Sequence, residues 1–92
     1  MNANLIKTCE MCPEQYELIN ESGNIIAYMR LRWGEFTVEC PDVGGKVVHS
    51  CEYGDEYKGG FNNQQERETE LREAIKKIEE HYGYSLITEG IK

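Results

Sequence analysis

The stretch "IIAYMRLRWGEFTVEC", residues 25–40, alternates apolar and polar side chains with a period of two. Ile25, Ala27, Met29, Leu31 and Trp33 fall on one side, and Tyr28, Arg30 and Arg32 on the other. Beyond Gly34, Phe36, Val38 and Cys40 alternate with Glu35, Thr37 and Glu39. A helix repeats about every 3.6 residues and would scatter this pattern around its surface, whereas a strand puts it on one face. Two strands joined by a tight reversal at Trp33-Gly34 therefore anchor any fold for this chain.

The same reasoning extends outward. "QYELIN" reads as a strand and "ESGN" as its turn. "PDVGG" is a second turn, because Pro41 cannot continue a ladder and Gly44-Gly45 accept positive φ. "KVVHSC" is a fourth strand, so residues 15–51 form an antiparallel meander.

A polar, glycine-rich loop, "EYGDEYKGGFNN", then leads into a helix over residues 63–82. Asn63 can cap it, with Glu66 at the third helical position. Leu71, Ile75, Ile78 and Tyr82 form one apolar stripe. Glu68–Arg72 and Glu73–Lys77 stand at the spacing that favours ion pairs, and Gly83 is a natural C-cap. A sheet with one apolar face needs a second layer. The expected fold is a single α+β domain over residues 1–92. It consists of a four-stranded antiparallel meander covered by one C-terminal helix (ββββα), with Leu71, Ile75 and Ile78 packed on Met29, Leu31, Phe36 and Val38. The tail "YSLITEGIK" adds a short extended piece. At this length only about 60–65% of the unfolded surface is buried, so the core is thin and a staple would help.

The net charge of −7 opposes nucleic acid and anionic membranes unless the few Lys and Arg gather on one face. It suits a basic surface on another protein. "MNANLIKTCEMC" lacks the basic start and apolar run of a signal peptide, and no run approaches about 18 apolar residues. The expectation is a cytoplasmic protein whose cysteines are reduced or metal-bound.

Cys9 and Cys12 raise the question of a metal. The meander places Cys9, Cys12 and Cys51 at one end of the sheet and Cys40 at the other. Cys9, Cys12 and Cys51 could hold zinc with His49, His81 or a carboxylate as fourth ligand. The second Cys-x-x-Cys of a zinc ribbon is absent, however. A redox pair would need a helix after the motif, where this sequence has a strand. The expectation is reduced thiols and no cofactor, with zinc as the rival. Cys40 alternates with Phe36 and Val38 and reads as a small core residue.

Two further clusters bear on partners. Tyr28, Arg30 and Arg32 share a sheet face and could stack on and neutralise a nucleic acid strand. Glu17 stands opposite Tyr28 on one side, with Thr37 and Glu39 opposite on the other, which suggests cross-strand ion pairs instead. Glu52, Tyr53, Asp55, Glu56 and Tyr57 form an acidic, tyrosine-rich loop without calcium-loop or phosphate-loop spacing, better suited to protein contact. His49 and Cys51 could form a dyad on one strand face, without a third group to orient it. No catalytic constellation is expected.

The run "YMRLRWGEFTVECPDVGG", residues 28–45, together with "CEMCPEQY" and the charged helix, resembles small uncharacterised proteins of bacteriophages and prophages of Gram-positive bacteria. The resemblance implies a small accessory or inhibitory protein that binds a host protein. The reading is therefore a non-enzymatic acidic binding protein. A zinc-stabilised nucleic-acid module is the second possibility and a thiol-dependent enzyme the third.

Overall fold

The computed structural model describes residues 2–9, 14–54 and 59–89. Five strands follow one another: β1 (Asn2–Cys9), β2 (Glu14–Asn20), β3 (Ile25–Arg32), β4 (Glu35–Cys40) and β5 (Lys46–Glu52). Helix α1 (Gln64–Tyr82) and a short β6 (Ile87–Glu89) are the remaining elements among the described residues. They form one sheet in the order β5-β4-β3-β2-β1-β6, antiparallel throughout except that β6 runs parallel to β1.

The expected four-stranded meander, β2–β5, is thus one part of a six-stranded sheet, running from its β5 edge, with β1 and β6 added beyond β2. β1 escaped the sequence reading because its two buried residues, Ala3 and Leu5, are followed by Ile6 pointing outward and exposed. β6 is the extended piece expected of the tail. The register follows the expectation: Tyr28 stands between Glu17 and Glu39, Arg30 between Gln15 and Thr37, and Arg32 beside Glu35.

One sheet face carries Leu18, Ala27, Met29, Leu31, Phe36 and Val38, all fully buried. α1 covers it with Leu71, Ala74, Ile75 and Ile78, in one continuous cluster. Each large side chain buried there stabilises the fold by about 1.5–3 kcal/mol.

The ends of α1 are fixed as the sequence implied. Asn63 Oδ1 accepts from the Glu66 N–H at 2.9 Å, and Asn63 Nδ2 donates to the Glu66 carboxylate at 3.1 Å. Gly83, at φ 81°, donates its N–H to the Glu79 carbonyl. Tyr82 crosses to the start of β3 and donates its hydroxyl to the Ile26 carbonyl at 2.5 Å.

Three expectations change. Trp33 does not continue the apolar face; it sits in the turn at φ 56° and is 64% exposed. The extra residue of a bulge, Ile26, is buried instead. The helical pairs Glu68–Arg72 and Glu73–Lys77 and the cross-strand pairs are not formed. Among the described residues the ion pairs are Arg67–Glu14 at 2.7 Å and Lys77–Glu80 at 3.9 Å.

Candidate binding groove on the helix-free face

Because α1 covers one face, the alternation of β3, β4 and β5 presents the other set of side chains to an open surface. At the end of that face where β3 turns into β4, a groove of about 460 Å³ is lined by Arg30, Arg32, Trp33, Glu35, Thr37 and Glu52. Its volume falls within the range of ligand-binding clefts.

The turn sets the shape of the groove. Trp33 and Gly34 are the two residues of the hairpin loop, and both have positive φ, 56° and 73°. This is the pattern of a type I′ turn, which matches strand twist and favours Asn-Gly. Glycine adopts such a conformation freely, but a bulky L-residue there costs about 1–2 kcal/mol. The Gly34 carbonyl accepts from the Tyr53 N–H at 2.8 Å, tying the turn to the chain beyond β5. The indole is therefore displayed at the groove rim by a strained but anchored backbone. The Arg32 guanidinium stands 5.3 Å from the centre of the indole ring, within cation–π range.

The charges of the groove are not neutralised by one another. Neither Arg30 nor Arg32 has a carboxylate within 4 Å among the described residues. Glu35 and Glu52 stand directly opposite on neighbouring strands, a like-charge juxtaposition that is destabilising. One Glu35 oxygen accepts from the Ser50 hydroxyl at 3.0 Å.

Several expected site residues lie elsewhere. Tyr28 belongs to the helix-free side but is only 8% exposed, so its ring offers little stacking surface. Tyr53 is engaged internally: its hydroxyl donates to Glu66 and accepts from the Asn62 N–H, and its ring packs edge-on against Phe61. Glu52 joins the groove. Asp55, Glu56 and Tyr57 lie outside the described residues. Trp33, Glu35 and Thr37 were missed, although a tryptophan in the first position of a two-residue Trp-Gly hairpin loop is a readable anomaly.

Two of the proposed metal ligands, Cys9 and Cys51, stand apart. Cys9 ends β1 and Cys51 lies on β5, at the same end of the sheet but four strand spacings apart, about 19 Å along the sheet. A meander brings such residues to one end of the sheet but separates its first and last strands. Cys12 lies outside the described residues. His81 is exposed at the last turn of α1, with its ring edge against Tyr82. No group of three His, Cys, Asp or Glu with metal-binding geometry occurs among the described residues. Cys40 is a buried core residue, as expected.

His49 and Cys51 share the helix-facing side of β5 but do not form a dyad. The Cys51 thiol donates to Glu70 at 3.5 Å. His49 packs edge-on against Phe36, and its Nε2 is buried without a hydrogen-bond partner. Burial pushes the Cys51 thiol up to about 11, and the negative charges of Glu70 and Glu35 push the same way. At neutral pH it stays protonated, the weakly nucleophilic form.

No protein family, curated protein or solved structure matches this chain. No helix among the described residues is long and apolar enough to cross a membrane.

Proposed function

We propose that this chain works by binding another protein, through the groove on its helix-free face, and not by catalysis. The observation that carries this reading is the exposed Trp33, held in a left-handed turn conformation beside two arginines that no carboxylate pairs among the described residues. Trp and Arg dominate binding energy at protein interfaces, because each combines a large contact area with directional polar contacts. Strained residues cluster at binding and catalytic sites, where function maintains a conformation that stability alone disfavours. The function class is that of a small accessory or inhibitory protein of phage type, binding a host protein.

Single-stranded nucleic acid is the second reading, with Trp33 in place of Tyr28 as the stacking surface beside Arg30 and Arg32. The net charge of −7 and the two carboxylates in the groove work against it.

The test is affinity capture from a bacterial lysate with wild-type protein and Trp33→Ala side by side. Proteins held by the wild type should be lost from the variant. Retention of the same set by Trp33→Ala overturns the reading.

A further inference from the structure

The groove on the helix-free face is electrically divided. Its positive side is β3, where Arg30 and Arg32 project from the same face about 7 Å apart. Its negative side is formed by Glu35 on β4 and Glu52 on β5, paired across the strands. Side chains of one strand lie about 5 Å from the next strand and about 10 Å from the second. Two cations and two anions thus stand side by side within one groove, yet no ion pair within 4 Å joins them.

A uniformly acidic ligand would satisfy the arginines and be repelled by Glu35 and Glu52. A uniformly basic ligand meets the converse problem. The arrangement favours an occupant carrying both signs. The indole of Trp33 at the rim adds a flat apolar surface for the stem of a long charged side chain.

Resting on the protein-binding reading above, we propose that the groove takes a protein segment presenting one acidic and one basic side chain, about 5–10 Å apart. The acid lies over Arg30 and Arg32, and the base lies over Glu35 and Glu52. Two local arrangements supply that distance: i and i+4 on a helix, about 6 Å apart along its axis, or i and i+2 on an extended strand, about 7 Å apart. The acid accepts hydrogen bonds from the guanidinium N–H groups, which the cation–π contact of Arg32 with Trp33 leaves available. The base relieves the opposition of Glu35 and Glu52. Matching the wrong sign to either side is penalised, so the divided groove is a specificity device more than a source of raw affinity.

The experiment is selection of a random dodecapeptide library on the full chain. Enriched peptides are then synthesised and titrated while following the emission of Trp33, the single tryptophan of the chain. Arg30→Glu/Arg32→Glu, Glu35→Lys/Glu52→Lys and Trp33→Ala are run in parallel, with circular dichroism to establish that each is folded. For Trp33→Ala, binding is read from a fluorophore on the peptide. Single-stranded dodecathymidine is titrated as the nucleic-acid probe.

The expected result is enrichment of peptides with an acid and a base within four positions of each other. Their affinity should fall at least about tenfold on either double charge reversal. Binders that tolerate both reversals and Trp33→Ala sit elsewhere, and remove the groove itself as the binding surface. Purely acidic or purely basic peptides, or dodecathymidine, that bind tightest and need Trp33 leave the groove standing but overturn the two-charge ligand. A library that yields nothing above the background of Arg30→Glu/Arg32→Glu overturns it as well.

Discussion

Arg67 reaches from the first turns of α1 to Glu14 at the start of β2, placing its Nε 2.7 Å and its Nη2 3.2 Å from the two carboxylate oxygens. Glu14 is 4% exposed and also accepts from the Tyr16 hydroxyl and the Phe61 N–H. One carboxylate thus joins strand, loop and helix. Arg67→Ala strands a buried charge and should cost about 2–3 kcal/mol, short of the ~3–5 of a fully enclosed pair because the guanidinium is partly solvated. Removing both charges with Glu14→Leu/Arg67→Met should cost less than the single change. Urea unfolding of the three proteins checks the order.

The same carboxylate sets the acid limit of stability. Burial works to raise its pKa, but the hydrogen bonds from Arg67, Tyr16 and Phe61 and the charge of Arg67 outweigh burial, holding it below the ordinary 4.5. Its contribution is therefore present above pH 4.5 and is lost as pH falls through the lower folded-state value. The stability difference between wild type and Glu14→Gln should be largest near neutrality and shrink as pH falls below 4.5. A constant difference across that range would refute the linkage.

Trp33→Gly separates stability from function. The change releases an L-residue from positive φ and removes little buried surface, so stability should hold or rise by about 0.5–1 kcal/mol. Partner capture should fall. Thermal unfolding and capture measured on the same preparation decide it, and a clear loss of stability would show that the indole is structural.

Cys51 should be a slow thiol. With its pKa moved from 9.0 to about 11, its thiolate population at neutral pH is about a hundredfold below that of an ordinary cysteine. Iodoacetamide labelling of the Cys51 peptide, followed by mass spectrometry, should accelerate as pH approaches 11. Glu70→Gln should quicken it at fixed pH. The stabilising effect of keeping this thiol neutral is present below pH 9 and disappears between pH 9 and about 11.

The central fold was legible because three signals agreed: alternation through residues 25–40, turn residues between the strands, and the Asn63 cap ahead of an apolar stripe. Where an apolar residue lies on the outer face or beyond the end of its strand, reading failed. Ile6 points outward and hides β1, while Trp33 looks like the next apolar residue of β3 but is turned out by its left-handed backbone. The site was legible only in part. Arg30 and Arg32 were visible as a basic pair on one face, but whether Glu35 and Glu52 neutralise them depends on side-chain reach across strands. Alternation cannot report that, and it also cannot show that Tyr28 is covered while Trp33 is not.

The parallel pairing of β1 with β6 sets an order of assembly. Its register joins Asn2 to Ile87, whereas every other pairing in the sheet is made between successive strands. Closing so long a loop is entropically costly, and only three residues of β6 reward it. The hairpins can form locally and early, and α1 must already lie across the sheet before β6 can find its edge. In pulsed amide exchange during refolding, Thr88 should gain protection after Met29 and Val38, so the last strand in sequence is also the last to join.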